Sequence, residues 1–218
     1  YVFDTETDEL VETVDTLGTL LYGLTIDSMG QVFIAQTDAR NDANGRAGTE
    51  KHGLKELMNR AFLNRITRVD LSDRSPKNTT FFDLEPLPPA QPAPGTALAT
   101  PYGISISEDD STLIVTTAGS DKVITMDANS GEILGRVDVE AVPRGVALTS
   151  FEDGRPSQAW VLNAVENTVS LVDVSNTFEP NLVGTILLED PTHPTVKRGR
   201  KAFETASAST TGTFACAS

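Results

Sequence analysis

Cysteine and histidine are nearly absent: one cysteine, Cys216, and two histidines, His52 and His193, stand in 218 residues. That excludes a disulfide framework and a zinc site built within the chain. Basic residues are scarce as well, 17 against 31 acidic ones, and the resulting formal charge of −14 argues against nucleic acid as a partner. Long apolar runs are missing; the longest, such as Leu113-Ile114-Val115 and Ile186-Leu187-Leu188, are far too short for a membrane span in this segment. No basic stretch followed by an apolar one opens the chain, so no signal-peptide pattern is visible. Catalytic signatures are lacking too: there is no Gly-x-Ser-x-Gly elbow, no phosphate loop and no His-Glu-x-x-His. The carboxylates cluster at turns such as Glu108-Asp109-Asp110 and Glu152-Asp153, where solvation and turn geometry account for them.

What remains, 39% hydrophobic and 22% charged residues, is the composition of a folded domain with chain enough for one sizeable core. Apolar residues alternate with a period of two in short runs broken by turn residues, which predicts antiparallel strands and an all-β fold. The runs recur as similar units. Leu21-Tyr22-Gly23, Pro101-Tyr102-Gly103 and Pro143-Arg144-Gly145 each open a first strand, over residues 21–27, 101–107 and 143–149. Second strands follow at 31–35, 112–116 and 159–163. Third strands end in an aspartate at 64–70, 122–127 and 168–173, and that side chain is expected to open the next turn by accepting backbone N–H groups. Fourth strands close the units at 80–84, 133–139 and 182–188. The chain starts midway through the same template, with a third strand at Tyr1-Val2-Phe3-Asp4 and a fourth at 10–14. The prediction is fourteen strands in about three and a half four-stranded blades of a β-propeller. This count falls short of closure, so the expectation is a piece of a longer polypeptide, truncated at both ends.

The units resemble the YVTN family of β-propeller repeats. Trp160-Val161-Leu162-Asn163 stands at that family's first element, Asn167-Thr168-Val169-Ser170-Leu171-Val172-Asp173 at its second, and Pro101-Tyr102-Gly103 and Pro143-Arg144-Gly145 at its proline-x-glycine element. Leu21-Tyr22-Gly23 departs from it by lacking the proline. The resemblance covers residues 1–190 and implies a fold more than a function, because propellers host many activities.

Two interruptions break the repeat. An insertion over residues 36–63 carries a predicted amphipathic helix in its later half, with Thr49 as N-cap and Leu54, Leu57, Met58 and Phe62 on one face. Its earlier half, 38–45, is crowded with oxygen ligands. Arg40 and Lys51 occupy positions where an EF-hand needs acids, so Asp38, Asp42 and Asn44 are candidate calcium ligands only in another geometry, against the plainer reading of a loop rich in Asx turns. The second interruption, residues 85–101, holds six of the 12 prolines and reads as an extended connector between blades, or as a polyproline ligand.

After Leu188 the repeat stops. Residues 191–218 read as a linker, a short helix over 196–206 and a Ser/Thr-rich loop ending in Cys216-Ala217-Ser218. Those three residues match the start of Cys-x-x-Cys-His, the pentapeptide that attaches c-type haem. With Gly199 and Phe203 upstream, the segment resembles the opening of a c-type cytochrome domain of the diheme cytochrome c peroxidase group. The resemblance implies haem c held through a Cys216 thioether if Cys-His follows Ser218, and a periplasmic or cell-surface location. It also implies a redox partner or a surface protein, and electron transfer or peroxide reduction by the full-length protein. His193 is a second candidate ligand, because neutral imidazole is a usual axial ligand, against the plainer reading of an exposed linker residue. The basic run Lys197-Arg198-Gly199-Arg200-Lys201 would face haem propionates or an acidic partner, or is simply a solvated helix face. A non-catalytic cell-surface binding propeller and a metal-dependent lactonase-like hydrolase remain as alternatives. The fragment alone is not expected to be an enzyme.

Overall fold

The computed structural model describes residues 1–40, 57–71 and 79–217. Fourteen strands form three four-stranded antiparallel sheets and one two-stranded sheet. The half unit is β1 (Val2–Phe3) paired with β2 (Leu10–Glu12). The second unit contains β3 (Leu20–Ile26), β4 (Gln31–Ala39), β5 (Phe62–Asp70) and β6 (Thr79–Asp83). The third contains β7 (Pro101–Ile106), β8 (Thr112–Thr117), β9 (Lys122–Asp127) and β10 (Ile133–Asp138). The fourth contains β11 (Pro143–Glu152), β12 (Arg155–Asn163), β13 (Thr168–Asp173) and β14 (Asn181–Leu187). Strands lie in chain order within each sheet, so every unit is an up-and-down blade. One helix, α1 (Pro194–Glu204), and a 3-10 turn (Ala206–Ala208) follow.

Blade formation follows from which faces are buried. Phe33, Ala35 and Ile66 of blade 2 pack with Ile104, Leu113, Val115, Ile124 and Met126 of blade 3. On the other face of blade 3, Ile114 and Val123 pack with Ala159, Val161, Val172 and Val174 of blade 4. Both faces of β8 are therefore covered, which is why Leu113-Ile114-Val115 is an unbroken apolar run. Each buried Val, Leu, Ile, Phe or Met side chain among them contributes about 1.5–3 kcal/mol.

The first strands β3, β7 and β11 stand side by side at the inner edge. A Cβ on Gly23 would lie 2.5 Å from the Tyr102 carbonyl oxygen, and one on Gly103 would lie 2.2 Å from that of Arg144. Only glycine lets neighbouring blades approach at backbone level there. The predicted aspartate turns form after Asp127 and Asp173, while the one after Asp70 lies outside the described residues: the Oδ1 of Asp127 accepts the N–H groups of Asn129 and Ser130 at 3.0 and 2.7 Å. Asp173 accepts that of Ser175, and Asp4 those of Glu6 and Thr7.

Three expectations change. The insertion is shorter than 36–63, because β4 runs on to Ala39 and β5 begins at Phe62, with Ala39 opposite Phe62 and Thr37 opposite Asn64 in the ladder. Phe62 is thus a strand residue and not part of a helix. Residues 57–59 form a turn, with Met58 and Asn59 both at φ 57°, while the earlier part of the predicted helix lies outside the described residues. The proline-rich segment is not a free extended connector. It turns at 88–90 and 93–96 and buries Ala97, Leu98 and Ala99, with Leu98 joining the cluster between blades 2 and 3.

Candidate functional site

In each four-stranded blade the first strand begins, the second ends and the third begins on one face of the array, and the C-terminal segment crosses that face. Helix α1 starts at His193, whose Nδ1 accepts the Thr195 N–H at 3.2 Å, with Pro194 in the first turn where no N–H is needed. No residue of α1 is buried, so its attachment is polar. Lys197 Nζ donates to the Glu166 carbonyl at 2.7 Å and lies 3.1 Å from Asp190 Oδ2 and 3.4 Å from Glu166 Oε1. The Asp190 carboxylate and the Glu166 side chain hold the Lys197 ammonium above its ordinary range, while the Thr192 N–H and Lys197 hold Asp190 low. At the other end of the helix, Arg144 Nη2 donates to both carboxylate oxygens of Glu204 at 3.1 Å.

Arg144 connects this contact to the inner edge. Its guanidinium lies 5.0 Å over the Tyr102 ring, and Tyr102 stacks on Tyr22 with ring centroids 4.8 Å apart. These three residues are the middle positions of Leu21-Tyr22-Gly23, Pro101-Tyr102-Gly103 and Pro143-Arg144-Gly145. The repeat itself therefore aligns them into one row, Tyr22–Tyr102–Arg144–Glu204. Two planar rings and a planar cation stack well at this spacing.

Beyond Glu204 the chain is held by backbone and core contacts. The Ala206 N–H donates to the Gly119 carbonyl at 2.8 Å, Thr211 Oγ1 donates to that of Asn59 at 2.9 Å, and Asn64 Nδ2 donates to that of Thr213 at 2.9 Å. Phe214 meets Phe62 at 6.4 Å, and Ala215 packs with Ala99 and Ala206. Cys216 follows, exposed, beside a hollow of about 300 Å³ whose wall includes Asn59, Ala208, Phe214 and Ala215. A second hollow of about 540 Å³ lies between the proline-rich segment, the 119–122 loop and residues 205–212.

Beneath this segment lies a buried polar network. Arg60 and Glu85 side chains are each 1% exposed and pair at 3.2 Å. Arg60 Nη1 also donates to the Pro86 and Ala90 carbonyls, and Glu85 accepts from Asn64 Nδ2 and from the Leu98 N–H. Burial pushes the Glu85 carboxyl up, against the Leu98 N–H, Asn64 and Arg60, which favour its charged form. Asn64 Oδ1 accepts the Thr100 N–H, so this one amide ties blade 2, the start of blade 3 and the C-terminal segment together.

The sequence-predicted site residues are not all brought together. Cys216 is presented on the segment as described. His193 caps the opposite end of α1, which at 1.5 Å rise per residue puts about 16 Å of helix between them. Asp38 sits in β4, with Oδ2 3.0 Å from Arg65 Nη1 and Oδ1 accepting from Thr19; Asp42 and Asn44 lie outside the described residues. Among the described residues no group of three or more His, Cys, Asp or Glu side chains is placed to hold a metal ion. Sequence reasoning missed the Tyr22–Tyr102–Arg144 row, although aligning the three first strands shows their middle residues side by side. It also missed Arg60 and Glu85, for which no local pattern gives a signal.

No protein-family model matches the chain, and no curated protein matches it. Among solved structures it is similar to hydrazine synthase of Kuenenia stuttgartiensis, with TM-score 0.61 and 14% identity over 79% of this chain and 51% of that one. It is also similar to a candidate 6-phosphogluconolactonase of Bacteroides uniformis, with TM-score 0.53 and 18% identity over 86% of this chain and 48% of that one. A functionally unknown protein of Desulfotomaculum acetoxidans matches with TM-score 0.50 and 16% identity over 87% and 50% of the two chains. Identities this low show a propeller-like all-β fold and nothing about activity. The chain spans about half the length of these structures.

Proposed function

We propose that this chain is a YVTN-type propeller scaffold that carries a c-type haem module on the face crossed by its C-terminal segment, so that the whole protein transfers electrons or reduces a peroxide outside the cytoplasm. The observation that supports this reading is the placement of Cys216. The thiol is exposed beside a partly apolar hollow, on a segment held to the blades by Arg144, Lys197, Asn64 and Phe62. An exposed thiol of this kind fits a thioether bond to a haem vinyl group. His193, at the far end of α1, is not placed beside it. Among the described residues the fit therefore rests on Cys216, which would hold the group. Bound haem iron supplies one-electron chemistry. The blades anchor the segment and set the position of the thiol. The basic side chains of Arg198 and Arg200 are exposed on α1 and offer an acidic redox partner a docking surface.

Expression of the full gene product in a host that matures c-type cytochromes tests the reading. A haem absorbance that survives denaturation, and is lost in Cys216→Ala, is the expected result. A colourless preparation from that host, or a gene in which Ser218 is not followed by Cys-His, sinks it.

A further inference from the structure

The row Tyr22–Tyr102–Arg144–Glu204 continues past Glu204. The Ala217 N–H donates to the Phe203 carbonyl at 3.3 Å, which sets Cys216 beside the residue that precedes Glu204. From there the contacts lead into the inner edge of the blades. Glu204 meets Arg144 at 3.1 Å, the guanidinium lies 5.0 Å over the Tyr102 ring, and Tyr22 stacks on Tyr102 at 4.8 Å with 28° between the ring planes. The thiol and the tyrosine pair are thus the two ends of one line of contacts.

The chemistry of the rings along that line is not uniform. Phe214 lines the same hollow as Cys216 and meets Phe62, but a phenyl ring has no hydroxyl to release a proton and is far harder to oxidise than a phenol. Tyr102 and Tyr22 are phenols, both half-buried. Tyr102 packs against Ala118, Ala141, Val142 and Val165, which shield its ring with apolar groups. The face of an aromatic ring attracts positive charge, so charge developing on Tyr102 is stabilised by the Tyr22 ring stacked on it. The guanidinium on the other side carries its own counter-charge, since both oxygens of the Glu204 carboxylate accept from Arg144 Nη2. Once the phenol has lost its proton, no net charge is left beside Arg144. The chain holds three tyrosines and one tryptophan in all. The third, Tyr1, is 85% exposed at the start of the chain, and Trp160 lies in β12.

We propose that the stacked Tyr22–Tyr102 pair is a redox relay for the group carried at Cys216, a role that rests on the haem reading above. After a peroxide has oxidised the haem, one electron leaves Tyr102 for the iron, the phenol O–H bond breaks and its proton passes to water, leaving a neutral phenoxyl radical. Tyr22 takes its place by giving Tyr102 one electron and one proton. An electron from the reduced acidic redox partner and a proton from water restore the phenol. Two such turns supply the two electrons that reduction of a peroxide to an alcohol and water consumes.

The single thiol allows the relay to be tested without haem. A ruthenium polypyridyl photo-oxidant is attached to Cys216 of the 218-residue chain, its excited state is quenched by a cobalt(III) ammine, and transient absorption follows the oxidised ruthenium as it recovers. The expected result is a phenoxyl band that forms as the ruthenium is reduced. Tyr102→Phe, which keeps the ring and the stack, delays that band; Tyr22→Phe together with Tyr102→Phe abolishes it, and Tyr1→Phe leaves it unchanged. In the full gene product carrying haem, peroxide gives a tyrosyl signal by electron paramagnetic resonance, and the double variant loses the signal while its haem absorbance is unchanged. A phenoxyl band that persists in the double variant, or an indole radical on Trp160 in its place, overturns the relay. A colourless full product overturns the haem reading instead, and a phenoxyl band from the ruthenium label then still supports the connection between Cys216 and the tyrosine pair.

Discussion

Arg60 is a full positive charge taken almost entirely out of water, and its neighbours explain how the fold tolerates it. Glu85 supplies the counter-charge and two carbonyls supply acceptors, while its Nε has no partner. Breaking such a pair from one side leaves a charge stranded in the interior. Glu85→Ala is therefore expected to lower the unfolding free energy by about 3–5 kcal/mol in urea titration, and Glu85→Gln, which keeps an acceptor, by less. The turn aspartates act differently. The N–H and hydroxyl of Ser130 hold Asp127 low, and the hydroxyl and N–H of Ser175 hold Asp173 low. A carboxylate depressed in the folded state contributes stability that is complete above the ordinary aspartate range and is lost as pH falls through the folded value. Their contribution to the unfolding free energy should be flat near neutrality and decline below about pH 4. Asp127→Asn should make that decline shallower in denaturant melts at pH 7 and pH 3. These aspartates were legible in sequence because a strand ending in Asp before small polar residues is a local signal. Arg60 and Glu85 were not, because each lies at the edge of a segment and only the fold brings them together.

At the scale of elements, the period-two alternation is plainest in β13, where Thr168, Ser170 and Val172 point inward, whereas β8, covered on both faces, was legible as a short apolar run between turn residues. What alternation misses is where polar residues extend a ladder. Gln36 and Thr37 look like loop yet are fully buried in β4, because the partner strand β5 supplies the register. The helix was legible from its spacing, but its role was not. With no buried residue it is held by Lys197 and by the Arg144–Glu204 pair, contacts that a sequence pattern cannot pair up. Arg144→Ala removes the partner of Glu204 and the cation over Tyr102. Its expected effect is about 1–2 kcal/mol of lost stability, with faster proteolysis of residues 194–217. Partly exposed ion pairs are screened by salt. Amide exchange in α1 should accordingly rise between 0.05 and about 1 M NaCl, while the buried strand β8 stays unchanged.

Across the whole molecule, repeats of this kind touch mainly their neighbours, and such arrays are free to melt one unit at a time from an end. The C-terminal segment changes that. It is bonded to Asn59 and Asn64 of the second unit, Gly119 of the third, and Arg144 and Glu166 of the fourth. It therefore acts as a tie-rod laid across the grain of the blades, converting a stack that could fray into a body that yields all at once. Cutting the chain at residue 190 should split a single calorimetric transition into two, with the fourth unit melting first. A group attached at Cys216, beside the second unit, would then load the same rod, and stiffness in it would be felt two units away, at the fourth.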